Sequence, residues 1–412
     1  MNRLLISLTA VLVAVSLLSA APAQDQPAAK PAAEKAAAPA PTPAADKPAD
    51  PASWKNGPST DPSFFPLGVW AQAPKHAAQY KEMGINFYLS LAGGPTEEQL
   101  AELKKAGMKT ICSQNEVGLK HLDDPTIIGW MHGDEPDNFK KDENGKWVPK
   151  QKPDSIIADY QKIKAADPTR PVLLNLGQGV ANIGYKGGWA KDADYAELVK
   201  GCDIVSYDIY PACSDRAEVA GKLELCAAGV DRLRKLSEDK KIVWFITEAS
   251  AIRNKERVVT AAEMRFEVWS AIIHGAKGII YFCHQWEPKK DFAFPLNDPA
   301  MKAAVTATNK EILGLARVLN TPTLEGRAKA TCDKAEAQVD VMVKRLGDAT
   351  YVFAANMRNV ETAATIEVSK VVVKEAQVLS ENRKLPVAEG KLTDTFKPYS
   401  VHIYCFGDPD AL

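Results

Sequence analysis

The sequence predicts an α/β chain with a closed (β/α)8 TIM barrel followed by a small antiparallel all-β domain. Eight short runs rich in apolar, β-branched and aromatic residues recur between Phe64 and Trp286. Most of them are separated by stretches with the apolar spacing of helices, and after Asn320 the pattern changes to alternation. Continuous apolar runs between helices are typical of parallel strands that helices cover on the outside.

The first 23 residues predict a signal peptide. Arg3 precedes a short apolar run, which ends at an A-x-A-like cleavage site, residues 21–23. The run is too short for a comfortable membrane span, and no second such run follows. We therefore expect export to the periplasm or the medium, with no membrane span left after cleavage.

A linker is predicted for residues 24–58. As far as Ala52 they are almost entirely Ala, Pro, Lys, Asp and Glu. Such a stretch buries too little apolar surface to offset the entropy lost on ordering, so we expect it to be disordered.

The barrel is predicted for residues 59–320, close to the about 250 residues typical of this fold. Its third connection is too short for a regular helix. A doubly wound sheet is the competing architecture, but Asn182 stands where a dinucleotide-binding loop needs its third glycine. The eight strand runs read FFPLGVW, INFYLSL, MKTICSQ, TIIGWMHG, PVLLNLG, DIVSYDIYP, KIVWFITE and GIIYFCHQW.

Residues 321–412 predict a β-sandwich. Apolar and polar residues alternate there, and Gly347-Asp348 is a hairpin turn signal. We expect this domain to support the barrel.

The net charge and the cysteine content exclude several classes of protein and of partner. The formal net charge is −1, which points to neither nucleic acid nor an anionic membrane as a partner. Seven widely spaced cysteines are no disulfide scaffold, although a Cys213–Cys226 pair stays open beside burial as free thiols. No CxxC or HExxH spacing is present, so we predict neither a metal nor a cofactor. The oligomeric state is not predictable from these features.

Two carboxylates stand at predicted strand ends. Glu135 ends the fourth run, where Pro136 stops the strand, and Glu248 ends the seventh. Catalytic residues of barrel enzymes lie at the carboxyl ends of the strands. Two opposed carboxyl groups are what hydrolysis of a glycosidic bond requires.

The barrel resembles the largest clan of retaining glycoside hydrolases, which includes cellulase-like, β-galactosidase-like and β-mannanase-like enzymes. The motifs that carry the resemblance are Gly129-Trp130 leading to Glu135, residues 203–210 (DIVSYDIY), Thr247-Glu248 and Gln285-Trp286. The resemblance implies a secreted retaining glycosidase, with Glu135 as acid/base and Glu248 as nucleophile. It also implies that Tyr210 or Tyr207 holds the nucleophile and that Trp286 forms the floor of the innermost sugar subsite.

Two positions depart from the clan's pattern. Asp134 replaces the usual Asn before the acid/base, and the second run lacks the Arg often found at its end. The negative charge of Asp134 would raise the pKa of Glu135, which suits a general acid.

Further residues near these strand ends are candidates for binding a carbohydrate. Trp130 is a candidate for stacking on a sugar or for core packing, and His132 and His284 for contacting substrate or for a structural role. The remaining candidates are Asp134, Asn175, Gln178 and Trp189. Two other functions stay open: a catalytically inactive, glycan-binding barrel of the cell envelope, and a metal-dependent barrel hydrolase.

Overall fold

The computed structural model describes residues 49–408. The predicted signal peptide and residues 24–48 of the predicted linker lie outside this range. Within it, no helix has the length and apolar character needed to cross a membrane.

Eight parallel strands close into a barrel, as predicted. They pair around the ring in the order β1-β10-β9-β8-β7-β4-β3-β2, and this order closes the sheet. The barrel strands are β1 (Leu67–Trp70), β2 (Phe87–Leu89), β3 (Lys109–Cys112), β4 (Ile127–Met131), β7 (Val172–Leu176), β8 (Ile204–Asp208), β9 (Ile242–Glu248) and β10 (Ile279–Phe282). A short hairpin of β5 (Phe139–Lys141) and β6 (Trp147–Pro149) follows β4.

Helices connect most of the barrel strands. The helix between β3 and β4 has only five residues, as its short connection predicted. The helices are α1 (Ala77–Glu82), α2 (Glu97–Ala106), α3 (Glu116–Lys120), α4 (Pro153–Ala166), α5 (Asp192–Leu198), α6 (Leu225–Leu236), α7 (Ala261–Ile273), α8 (Phe294–Asn297), α9 (Pro299–Gly314) and α10 (Ala316–Leu319).

The C-terminal part is a two-sheet β structure, which confirms the predicted fold class. One sheet has the order β11-β14-β17 and the other β12-β13-β18-β15-β16, all antiparallel. The inner faces share one apolar core. The strands are β11 (Ala328–Cys332), β12 (Val339–Leu346), β13 (Ala349–Asn356), β14 (Thr362–Val368), β15 (Glu375–Val378), β16 (Arg383–Pro386), β17 (Lys391–Phe396) and β18 (Val401–Phe406).

The barrel contacts the β-domain through α7. The ring of Trp269 stacks on Phe353 with centroids 5.6 Å apart, and Phe266 meets Tyr399 at 4.9 Å. Arg265 pairs with Glu311 at 2.9 Å and also donates to the Val401 carbonyl at 3.1 Å. The β-domain therefore packs on the outer helical layer of the barrel.

The last part of the predicted linker is ordered, which corrects the sequence expectation. Trp54 is 8% exposed and belongs to the apolar cluster that fills the barrel interior. The amides of Ala49 and Asn56 donate to the carbonyls of Lys240 and Thr169, in the loops that precede β9 and β7. Because those loops lie at the amino ends of the strands, the segment crosses the bottom of the barrel with its one large apolar side chain turned inward.

The seven cysteines are free thiols, six of them buried. Cys213 and Cys226 do not pair.

Candidate active site

A cleft of ≈ 730 Å³ lies at the carboxyl ends of the barrel strands. Its floor holds Asp134, Glu135 and Asp208, which we call the acidic cluster. The loops after β8 and β9 and the aromatic residues after β10 form its walls.

Glu135 is held by the turn that ends β4. Its φ of 43° lies in the left-handed region, which costs energy for a residue with a side chain and is common at functional sites. Its amide donates to the Asn175 carbonyl at 3.1 Å, and Asn138 donates to its carboxylate at 2.8 Å. A Cβ on Gly177 would lie 2.9 Å from its Oε1, so this carboxylate needs a glycine beside it.

A buried carboxylate supports this turn from below. Asp137 accepts hydrogen bonds from the Gly177 amide and from the Tyr195 hydroxyl, both at 2.9 Å. These two bonds fasten the segment after Glu135 to the loop after β7 and to α5.

Asn175 connects the other two members of the acidic cluster. Its Nδ2 donates to Asp134 at 2.9 Å and to Asp208 at 3.1 Å. Its Oδ1 accepts from the Ser206 hydroxyl at 2.8 Å, which fixes the orientation of the amide. Both carboxylates thus face the same point between β4 and β8.

The carboxyl groups of the cluster have raised pKa values. Burial, followed by the charges of Asp134 and Asp137, raises the pKa of Glu135 to about 7. Burial also raises the pKa of Asp134, against the effect of its hydrogen bond from Asn175. The pKa of Asp208 lies well above its usual range because of burial and the charges of Glu135 and Asp134. Carboxylates this close do not all ionise near neutral pH, so the cluster retains protons there.

Aromatic side chains form one wall of the cleft. Tyr210 packs on Phe282 with ring centroids 5.0 Å apart, and Trp286 stacks on the same Phe282 at 5.9 Å. His284 meets Trp286 edge-on at 5.8 Å. Six of the predicted binding residues therefore line one cleft with Glu135: Asp134, Asn175, Gln178, Tyr210, His284 and Trp286.

Glu248 does not face this cleft. It is 0% exposed, and its two carboxylate oxygens accept from the backbone amides of Ala212 at 2.6 Å and Cys213 at 2.8 Å. Burial raises its pKa to about 7. In this geometry Glu248 anchors the loop after β8, and its predicted role as nucleophile is not supported.

Four other predicted residues also lie outside the cleft, among them Trp189, whose indole N–H donates to the Pro136 carbonyl at 2.8 Å. Trp130 is 0% exposed and donates through its indole N–H to Asp167 at 2.8 Å. The Tyr207 hydroxyl donates to the Cys226 carbonyl on α6, and His132 Nε2 donates to the Gly201 carbonyl at 2.8 Å. Trp130, Tyr207 and His132 thus lie on the outer side of the strands. This favours the packing and structural roles left open for Trp130 and His132, and it leaves Tyr210 as the tyrosine that lines the cleft.

Sequence reasoning missed Asp208 as a carboxylate of the site. It ends β8 in the run DIVSYDIYP, where Pro211 soon stops the strand, the same signal that identified Glu135. Arg216 and Arg253 were also missed, because they lie on loops without a pattern. Within residues 49–408 no group of three or more His, Cys, Asp or Glu side chains is arranged to hold a metal ion.

Residues 125–293 match the family model of glycoside hydrolase family 42, described as beta-galactosidase. They make up less than half of the chain, so the match supports the class of protein rather than membership of that one family. No curated protein matches the chain.

Solved structures share the fold at low sequence identity. A catalytic mutant of a family 42 beta-galactosidase from G. stearothermophilus has a TM-score of 0.56 at 8% identity, over 85% of this chain and 100% of that one. A further structure of that enzyme has a TM-score of 0.53 at 8% identity, over 83% and 98%. An Anoxybacillus alpha-amylase has a TM-score of 0.50 at 10% identity, over 85% and 99%.

The closed barrel, the β-domain and the family-model match define the class: the chain is a glycoside hydrolase barrel of the type found in the large retaining clan. The resemblance and the enzyme class predicted from the sequence are confirmed at this level.

Proposed function

We propose that the protein hydrolyses O-glycosidic bonds of an oligo- or polysaccharide with retention of anomeric configuration. The observation that carries the proposal is the acidic cluster: three carboxyl groups converge in an open cleft, and the pKa of Glu135 is raised to about 7. A general acid works best with a pKa near the operating pH.

Glu135 acts as the acid/base in this proposal. Its protonated carboxyl donates to the glycosidic oxygen as the bond to the anomeric carbon breaks. In the second step the same group takes a proton from the water that attacks the glycosyl-enzyme.

Asp208 takes the role of nucleophile that the sequence assigned to Glu248. Asp208 lines the cleft, whereas Glu248 is enclosed by backbone amides. Burial and the charges of Glu135 and Asp134 raise the pKa of Asp208, and the hydrogen bonds from Asn175 and Tyr210 partly oppose this rise. When Glu135 holds its proton, its charge no longer raises the pKa of Asp208, which favours the state with a protonated acid and an ionised nucleophile.

Glycan binding without turnover is a second candidate, which the burial of Glu248 favours. One experiment separates the two functions. The purified protein and its Glu135→Gln variant are each incubated with a panel of aryl glycosides. Proton NMR then follows the anomeric configuration of the product. Turnover with retention, lost in the variant, supports the proposal. Binding without release of the aryl group by the wild-type protein supports the second candidate.

We also propose export, on the leader-like pattern of residues 1–23. N-terminal sequencing of the protein secreted by a bacterial host tests it. The expected mature chain begins at Gln24, and a chain that is retained in the cells and still begins at Met1 contradicts it.

A further inference from the structure

Within residues 49–408, two arginines line the cleft without an ion-pair partner. Arg216 lies on the loop after β8 and Arg253 on the loop after β9. The guanidinium of Arg216 lies over the Tyr185 ring at 5.1 Å, and that of Arg253 lies over the Trp286 ring at 5.3 Å. Among the described residues neither arginine forms an ion pair, although Asp215 is the sequence neighbour of Arg216.

Most arginines elsewhere in the described chain are paired. Arg257, on the same loop as Arg253, pairs with Glu263, and Arg232 pairs with Asp192. A guanidinium that lies over an aromatic ring keeps its in-plane N–H groups available for a ligand. The two arginines of the cleft therefore keep N–H donors for a ligand, whereas the paired arginines donate to a carboxylate of the protein.

The loops that carry these arginines are fastened to each other. Asn254 donates to the Cys213 carbonyl at 3.2 Å, and the Cys213 thiol donates to the Ser250 carbonyl at 3.3 Å. Glu248 adds two hydrogen bonds from the amides of Ala212 and Cys213. The buried Glu248 thus sets the position of the loop that bears Arg216 relative to the loop that bears Arg253.

The positive charge of the cleft lies on its loops, where one carboxylate, Asp215, also lines it. The acidic cluster lies at the ends of β4 and β8, and the two arginines lie on the loops beyond β8 and β9. A neutral sugar gives two unpaired guanidinium groups no partner of opposite charge. A carboxylate or a sulfate ester matches their planar donor pattern and neutralises their charge.

We propose that the substrate of this cleft is an anionic glycan, whose carboxylate or sulfate group is bound by Arg216 and Arg253. The inference rests on the proposed glycosidase function and names its substrate class. A uronic acid and a sulfated sugar present the same chemistry to the two arginines.

The test compares kcat/KM of the full-length protein on matched pairs of aryl glycosides: galactoside against galacturonide, glucoside against glucuronide, and galactoside against its 6-sulfate. The expected result is a preference of at least tenfold for the anionic member of a pair. The two uronide pairs and the 6-sulfate pair show whether the protein recognises a carboxylate or a sulfate ester. Equal or better turnover of the neutral members overturns the proposal.

Variants test the two arginines directly. Arg216→Ala and Arg253→Ala are expected to reduce the anionic-to-neutral ratio of kcat/KM at least tenfold, and Arg253→Lys to restore part of it. Lys255→Ala removes an exposed charge from the same loop and serves as the matched control, with an unchanged ratio. An unchanged ratio in both alanine variants contradicts the proposal.

Calorimetry separates this inference from the proposed function. The Glu135→Gln variant is titrated with an oligosaccharide containing glucuronate, with its sulfated analogue and with the neutral parent. Selective binding of an anionic glycan that the wild-type protein does not cleave supports the inference and contradicts the glycosidase. Cleavage of neutral glycosides only supports the glycosidase and contradicts the inference.

Discussion

The carboxylates of Asp134 and Asp208 accept hydrogen bonds from the same amide nitrogen, Nδ2 of Asn175, at 2.9 and 3.1 Å. This bridge joins the ends of β4 and β8, which β7 separates in the ring. It holds two carboxyl groups near Glu135, and the charge of Asp134 contributes to the raised pKa of Glu135. The pKa of Glu135, the proposed general acid, therefore depends on the charge of its neighbours.

We predict that kcat/KM falls as pH rises through about 7. Glu135 must be protonated to donate, and its pKa is raised to about 7, so the active form is lost above that pH. In Asp134→Asn one negative neighbour is gone, the pKa of Glu135 falls, and the basic limb moves to lower pH. pH–rate profiles of both proteins measure this shift. An unmoved basic limb would show that another group controls it.

Asp208→Asn and Glu248→Gln separate the two candidates for the nucleophile. We predict that Asp208→Asn abolishes turnover and that azide restores it as a glycosyl azide, because a small anion can occupy the space of the lost carboxylate. Folding is checked by circular dichroism in both variants.

Glu248→Gln is predicted to act mainly on stability. The new amide group faces a backbone N–H that formerly donated to a carboxylate oxygen, and leaving a buried donor unsatisfied costs about 1–3 kcal/mol of the free energy of unfolding. Urea unfolding and steady-state kinetics measure the two effects. A collapse of kcat with unchanged stability and KM would return the role of nucleophile to Glu248.

Trp54→Ala is predicted to lower the free energy of unfolding by about 3 kcal/mol, because it empties a buried position at the bottom of the barrel. Trp147→Ala is the matched control, since Trp147 is 61% exposed on the hairpin after β4. Urea unfolding compares the two variants. Equal stability of both would mean that the segment before the barrel contributes no packing energy.

The barrel was predictable from the sequence because eight apolar runs and their helical separators repeat. Position at a strand end also located Glu135, Asp134, Tyr210 and Trp286 in the cleft. Residues at the carboxyl ends of barrel strands lie at the mouth of the barrel, where the cleft is found. Position at a strand end does not show whether a side chain points into the barrel or toward the outer helices. β4 is buried throughout and its pairing with β3 shifts by one residue, so the outward position of Trp130 was not readable from alternation.

Tertiary contacts decided the remaining differences. The carboxylate of Glu248 is bound by amides of residues 212 and 213, which are remote in sequence and carry no side-chain signal. Trp54 is a single aromatic residue at the end of an Ala- and Pro-rich stretch, and the composition of that stretch concealed it. Arg216 and Arg253 belong to loops whose paths no periodic pattern predicts.

The most direct test of the central claim is the leaving-group dependence of Glu135→Gln. Two aryl glycosides with the same sugar are compared, one with a good leaving group such as dinitrophenolate and one with a poor leaving group. If Glu135 protonates the leaving oxygen, the variant loses about 10²–10⁴-fold in kcat/KM on the poor leaving group and far less on the good one. Glu143→Gln, an exposed change on the hairpin after β4, is the control and keeps wild-type rates. An equal loss on both substrates would contradict the role of Glu135 as the general acid.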